Sequence, residues 1–139
     1  MVDQADVKAK APIFSRSMLH FLGEFFDLDL EKTILRQRLL MACMLDSLKE
    51  KAPEVQWVRL GDDLFVGNKK ASVSIATLSP VSTLIHAGIN IVTTGTPVPT
   101  FGLNEAKIDP EELAKDVLRR FKHEIDEIGL ARCKVRSVP

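Results

Sequence analysis

The sequence predicts an α+β fold in which a mixed, mainly antiparallel sheet packs against about three helices. Two observations support this prediction. Polar and apolar residues alternate along much of the stretch 61–91, as they do in half-buried strands. The stretches before and after it instead repeat apolar residues at helical spacing. The 139 residues suit one domain spanning 1–139 with a single core, in which the polar residues 1–13 form an N-terminal arm.

The first block, from Ser15 to about Glu50, is predicted to be helical. Asp29 suits the N-cap of a second helix within it, and Pro53 would end that helix. The first helical part carries an apolar face made of Met18, Leu22, Phe25 and Phe26. The second carries an apolar stripe made of Ile34, Met41, Leu45 and Leu48. Apolar residues at this spacing indicate helices that pack on a core.

The middle block is predicted to contain the strands. A first strand covers residues 55–59, and the next includes Leu64 and Val66. Gly67-Asn68 suits a two-residue hairpin turn, because both residue types tolerate positive φ. The strand after the turn alternates, and so does the strand around residues 84–91. Turn-forming residues at 93–99 separate these strands from the last block.

The last block carries the clearest helix start in the chain. Asp109 suits the N-cap, Pro110 the first helical position and Glu112 the capping-box partner. Ile108 and Leu113 can form a hydrophobic staple. The expected buried stripe consists of Ala114, Val117, Leu118, Phe121, Ile125 and Ile128. Gly129 is predicted to end the helix, and a short strand is predicted to start near Ala131.

Composition excludes several classes of protein. The 19 basic and 19 acidic residues give no net charge, which makes nucleic acid an unlikely partner. No apolar run approaches the roughly 18 residues of a membrane span, and the N-terminus is not a secretory signal. Cys43 and Cys133 do not form a disulfide framework. We therefore expect a cytoplasmic protein that does not bind membranes.

A polar face on the predicted strands is the candidate ligand site. Small and polar residues fall on one side of the alternation, namely Lys70, Ser72, Ser74, His86, Gly88 and Asn90. Lys70 can meet a phosphate or a polarised carbonyl, although strand-end lysines are often only solvated. His86 can act as an acid or base, but a lone strand histidine is more often a structural hydrogen-bonder. No His, Asp or Glu cluster has metal-ligand spacing, so no metal site is predicted.

Part of the chain resembles biotin– and lipoate–protein ligases. In those enzymes a Trp-Pro-Asn-Asp-Leu-type run leads through a tight turn to a lysine, and a later strand carries Gly-Ile-Asn. The counterparts here are GDDLFV (61–66), GNKK (67–70) and AGIN (87–90). The resemblance implies that Lys70 contacts an acyl-adenylate, that Asp63 belongs to the same site, and that Gly88 and Asn90 line the sheet. No Arg-Gly-rich adenylate loop occurs upstream.

Most of the chain also resembles a prokaryotic family of unknown function that is grouped with the ligase and class II synthetase-like fold. The matching stretches are MLHF, LRQRLL, GDDLFV, SVSIATLSPVSTLIHAGINI and GTPV. Typical members carry an extra N-terminal segment, so we expect this chain to be an N-terminally shortened version of the fold.

Two functions remain open. In the first, the domain binds an acyl-, acyl-adenylate- or nucleotide-like ligand on the polar face and transfers an acyl group, with ATP or an acyl-adenylate as the implied cofactor. In the second, the ligase-like fold is a non-catalytic binding or homo-oligomeric assembly module. Either way we expect a homo-oligomer, such as a homodimer.

Overall fold

Two three-stranded antiparallel sheets and three helices make up the part of the chain that this computed structural model describes, residues 17–93 and 98–139. This confirms the predicted α+β fold. The predicted arm 1–13 and residues 94–97 lie outside the described residues, and the single domain stays a prediction. The elements in chain order are β1 (Ser17–Phe25), α1 (Leu30–Lys51), β2 (Trp57–Leu60), β3 (Asp63–Val66), β4 (Lys69–Lys70), β5 (Ser72–Leu78), β6 (Thr83–Val92), α2 (Leu103–Ala106) and α3 (Pro110–Ala131).

The prediction of a helix in the region of β1 is wrong. Residues Ser17–Phe25 form an edge strand of the first sheet, whose order is β1-β6-β5, and they pair antiparallel with β6. Phe21 points into the core and is buried, while its neighbour Leu22 is 79% exposed. Apolar residues in this segment fit both a helical and a strand period, and pairing with β6 decides between them.

Helix α1 begins where the sequence predicts. The Asp29 side chain accepts a hydrogen bond from the backbone N–H of Lys32, which satisfies an N–H at the helix start. Met41 and Leu48 of the predicted stripe are buried, and Leu45 packs against the core. Ile34 is exposed instead, because the buried side of the helix also includes Thr33, Gln37, Leu40, Cys43, Met44 and Ser47.

The predicted strand that returns from the hairpin passes from one sheet to the other at Ala71. Before this residue, β4 pairs with β3 in the second sheet, whose order is β2-β3-β4. After it, β5 pairs with β6 in the first sheet. Ala71 is fully buried; its N–H donates to the Leu64 carbonyl and its carbonyl accepts from Asn90 N–H. One residue thus connects both sheets through backbone hydrogen bonds.

The hairpin turn lies at Gly67-Asn68, as predicted, because Val66 pairs with Lys69 on either side of it. Of the two turn residues only Gly67 has a positive φ, at 61°. Asn68 therefore does not use the positive φ that its residue type tolerates. A positive φ at the first turn residue alone is the pattern of a type II′ turn, in which glycine takes that position.

The last helix starts as predicted but runs further. Asp109 accepts a hydrogen bond from Glu112 N–H, and Pro110 is the first residue of α3. Gly129 does not end the helix, which continues to Ala131, and residues 132–139 contain no strand. Of the predicted stripe, Val117 is buried, whereas Leu118 is exposed although it directly follows Val117. Ile128 is also exposed, and it lies in the second half of α3, where none of residues 122–131 is buried. No described helix is both long and apolar enough to cross a membrane.

Candidate functional site

An ion pair at the β3–β4 hairpin forms the first part of the candidate site. The Nζ atom of Lys70 lies 3.0 Å from Oδ2 of Asp63. Lys70 sits opposite Phe65 in the hairpin register, so its side chain lies on the same side of the ladder as Asp63, two residues before Phe65. The Lys70 side chain is 41% exposed and that of Asp63 only 16%. An ammonium group has three N–H donors, so two others point away from Asp63 and can meet a ligand.

Two opposing effects act on the pKa of the Asp63 carboxyl. Burial raises the pKa of the Asp63 carboxyl above its usual range, and the ion pair with Lys70 acts in the opposite direction. The Ser72 hydroxyl donates a long hydrogen bond of 3.4 Å to Oδ1 of Asp63. The carboxylate therefore depends on Lys70 to stay ionised, and Lys70 in turn is oriented by a nearly buried anion.

The two predicted site serines are buried and make internal hydrogen bonds. Ser72 Oγ accepts from the backbone N–H of Leu64 at 2.8 Å. Ser74 Oγ donates to the Asp62 carbonyl at 2.7 Å and accepts from Gln37 Nε2 at 2.8 Å. These bonds join the first sheet to the second and to α1. Among the described residues, every buried side-chain nitrogen and oxygen atom has a hydrogen-bond partner.

Asn90 also holds chain segments together. Its Nδ2 donates to the carbonyls of Lys70 and Phe101, both at 3.2 Å. The backbone of Lys70 is in turn bridged to residues 99–101, because Lys70 N–H donates to the Pro99 carbonyl and Phe101 N–H donates to the Lys70 carbonyl. Asn90 therefore fixes the backbone from which the Lys70 side chain projects.

His86 and Gly88 lie elsewhere, on the side of the first sheet away from α1. This outer face includes Met18, His20, Leu22, Val73, Ile75, His86 and Gly88. Nδ1 of His20 and Nε2 of His86 are 2.9 Å apart, so one of the two nitrogens carries a shared proton. Partial burial, and next the neighbouring His20, lowers the pKa of His86.

Gly88 does not leave an open notch. A Cβ atom built there would lie 2.8 Å from Cε of Met18 and 3.3 Å from Nδ1 of His20. These two side chains already occupy the space in front of the glycine. A ligand could reach the backbone at Gly88 only if they moved.

The prediction that six polar residues share one sheet face is wrong. In the register of β5 and β6, Ser72 lies opposite Ile89 and Ser74 opposite Ala87, on the buried side. His86 lies opposite Ile75, on the outer face. Ile75 is five residues beyond Lys70, past the point at Ala71 where the chain passes from the second sheet to the first. The alternation within each strand was visible in the sequence, but the register between strands was not.

His20 is the residue that sequence reasoning missed. The helical spacing of apolar residues places it in a helix, which hides its position opposite Gly88 and diagonal to His86. The signal that could have found it is the alternation of Leu19 and Phe21 with His20 and Leu22. No group of three or more His, Cys, Asp and Glu side chains that could hold a metal ion occurs within residues 17–93 and 98–139.

The fold that carries these groups is that of the biotin and lipoate protein ligases. A biotin protein ligase from Aquifex aeolicus superposes with a TM-score of 0.65 at 19% identity, covering 79% of this chain and 53% of the ligase. The same enzyme has been solved in complex with biotin and ATP, with a TM-score of 0.60. At this identity the likeness establishes the fold alone.

The chain belongs to a family described as a domain of unknown function (DUF366), whose model matches residues 1–136. An uncharacterised protein from Methanocaldococcus jannaschii is 36% identical over 135 residues, which is 92% of this chain. A protein of unknown function from Pyrococcus horikoshi has a TM-score of 0.88 at 36% identity, covering all of this chain and 74% of that one. The chain spans 60% of the length of the M. jannaschii relative.

Proposed function

We propose that this protein binds a small acyl-, acyl-adenylate- or nucleotide-like ligand at the Asp63–Lys70 pair. The observation that carries the proposal is the half-exposed Lys70 ammonium, held 3.0 Å from the nearly buried Asp63 carboxylate. A fixed cation of this kind can meet a phosphate or a polarised carbonyl. The ligase-like fold supports the choice of ligand class, because the A. aeolicus ligase has been solved with biotin and ATP.

Acyl transfer is the reaction that this arrangement would support. A nucleophile of the acceptor attacks the acyl carbon of an acyl-adenylate, and AMP leaves as the bond from that carbon to the phosphate oxygen breaks. Negative charge develops on the carbonyl oxygen and on the departing phosphate. A preoriented ammonium stabilises that charge more in the transition state than in the ground state. Asp63 fixes the direction of the Lys70 side chain, and Asn90 fixes its backbone through the Lys70 carbonyl. We place this activity in the cytoplasm.

The binding test is a thermal-shift screen of the purified protein against biotin, lipoate, fatty acids, ATP and acyl-adenylate analogues. A ligand at 100 times its Kd stabilises the folded state by about 2.7 kcal/mol, which a melting curve resolves. Lys70→Ala should remove the shift given by the binding compound. Lys69→Ala should keep it, because Lys69 is exposed and strand alternation sends its side chain to the other face.

A stability control separates lost binding from damaged structure. Lys70→Ala leaves the Asp63 carboxylate nearly buried without its cation, at a cost of about 1–3 kcal/mol. The double variant Lys70→Ala/Asp63→Asn removes both charges, so it should recover most of that stability and still not bind. Equal loss of binding in Lys69→Ala would indicate diffuse electrostatics, and no shift with any compound would reject the proposal.

The second candidate is a homo-oligomeric assembly module, favoured by the exposed edge strand β1. Leu22 in β1 is 79% exposed and Phe26 just after it is 81% exposed. A long apolar edge strand is a template for pairing with a second chain. Light scattering should give a dimer mass for the wild type and a monomer mass for Leu22→Lys/Phe26→Lys. A monomer in both would leave this candidate without support.

A further inference from the structure

Two histidines on the outer face direct ring nitrogens at one another. His20 and His86 are 66 residues apart in sequence, yet Nδ1 of one lies 2.9 Å from Nε2 of the other. The ring centroids are 5.0 Å apart and the ring planes are tilted by 31°. Stacked rings would direct their nitrogens to the side, so this arrangement is a nitrogen-to-nitrogen contact.

We propose that His20 and His86 together bind one divalent transition-metal ion, with Zn²⁺ as the representative ion. Zinc binds imidazole nitrogen at about 2.0–2.1 Å, so two ligands of a tetrahedral ion stand about 3.3 Å apart. The nitrogen atoms observed at 2.9 Å therefore need to separate by about 0.4 Å, and each ring must turn so that its lone pair points at the ion instead of at the other nitrogen. Rotation about the χ1 and χ2 torsions of the two histidines can supply both movements.

The sheet holds the two rings in position. In the β1–β6 register His20 lies opposite Gly88 and His86 lies opposite Leu22, so the histidines are diagonal neighbours on adjacent strands. Gly88 has no side chain, which leaves room for the His20 ring to lie over it; a Cβ there would come within 3.3 Å of Nδ1. Gly88 is thus a positioning residue for the pair.

Metal binding at this pair releases no proton to the solvent. The proton now shared by the facing nitrogens moves to the other nitrogen of its own ring, which frees both facing lone pairs for the ion. His20 is exposed, so water or a small anion can fill the remaining positions. With two protein ligands the site binds more weakly than a four-ligand structural zinc site. The pair lies on the first sheet, whereas Lys70 projects from the hairpin of the second sheet, so the site shares no residue with the ligand site proposed above.

The first experiment is titration of tag-free protein with Zn²⁺ by calorimetry, in a Cys133→Ser background because Cys133 is an exposed thiol that can bind zinc. We expect one ion per chain. His20→Asn and His86→Asn should each weaken binding by at least about tenfold. His123→Asn is the matched control, since His123 is exposed on α3, and it should leave binding unchanged. Equal affinity in the His20, His86 and His123 variants would overturn the proposal.

A second measurement needs no change to the histidines. In NMR spectra of the same Cys133→Ser protein, sub-stoichiometric Zn²⁺ should shift or broaden the imidazole resonances of His20 and His86 together, while those of His123 stay in place. Gly88→Ala, which crowds the His20 ring, should weaken Zn²⁺ binding at an unchanged melting temperature. Broadening of all three histidines at once, or of His123 first, would mean only diffuse surface binding and would reject the site.

Discussion

Single residues show which roles a sequence can predict. Asp29 and Asp109 were predicted as helix caps, and each accepts a hydrogen bond from the N–H three residues later. Such roles depend on residues close by in the sequence, so the local sequence predicts them. Asn90 was predicted to line a ligand site, but its amide donates to carbonyls 20 and 11 residues away. No local pattern identifies partners at that distance.

Asn90→Asp should test this structural role. The substitution keeps the size of the side chain but replaces the NH2 donor with an acceptor that faces the carbonyls of Lys70 and Phe101. We expect a loss of about 2–3 kcal/mol in the free energy of unfolding, measured by urea denaturation at pH 7. Asn68→Asp in the exposed turn is the control and should change stability by less than about 0.5 kcal/mol. Similar losses in both variants would contradict the role given to Asn90.

At the scale of elements, the spacing of apolar residues predicted the two helices that begin with a capping residue. It gave the wrong element where the same segment fits both a helical and a strand period. Both α1 and α3 begin at the predicted residues. The segment that became β1 has apolar residues at helical spacing as well as in alternation, and its nine-residue pairing with β6 fixes it as a strand. The chain also passes from the second sheet to the first at Ala71. This passage depends on which distant strands pack nearby, so the alternation of residues in β5 does not predict it.

Neighbouring residues in β1 provide a direct test of strand against helix. Phe21 is buried in the core, so Phe21→Ala should cost about 3 kcal/mol or more of unfolding free energy. Leu22 is 79% exposed, so Leu22→Ala should cost less than about 0.5 kcal/mol. Urea denaturation at low protein concentration avoids any contribution from self-association. A larger loss for Leu22→Ala than for Phe21→Ala would restore the helical interpretation.

For the whole molecule, the sequence predicted the α+β fold and the hairpin that carries Lys70, but it combined two separate polar groups into one site. The register between β5 and β6 places Ser72 and Ser74 on the buried side and His86 and Gly88 on the outer side. Within one strand the period of two is a local property, whereas the register depends on how distant segments pack. Residues of the candidate site could therefore be named in advance, while their grouping could not.

The packing of α3 on α1 should give the whole molecule a defined loss of stability in acid. Asp116 in α3 accepts from Ser47 Oγ of α1 at 2.5 Å and from Arg120 Nε at 2.8 Å, and Arg119 Nη2 donates to its other oxygen at 2.7 Å. The Ser47 hydrogen bond, followed by those of the two arginines, holds the pKa of Asp116 well below its usual range. Arg120 also pairs with Glu50 of α1.

A folded-state pKa below the unfolded value of about 3.9 means that the ionised carboxylate stabilises the fold above pH 4. That contribution is lost as the pH falls toward the folded pKa, because the proton must then enter the bonded carboxylate. Asp116→Asn should therefore cost about 1–3 kcal/mol at pH 7, and the difference from wild type should shrink steadily between pH 4 and pH 2. Urea denaturation at several pH values measures both quantities.

Asp126→Asn is the control, because the Asp126 carboxylate is exposed and pairs with Lys122 in the second half of α3. This substitution should change stability by less than about 0.5 kcal/mol across the same pH range. A difference for Asp116→Asn that stays constant down to pH 2 would show that its carboxylate is not what couples the two helices.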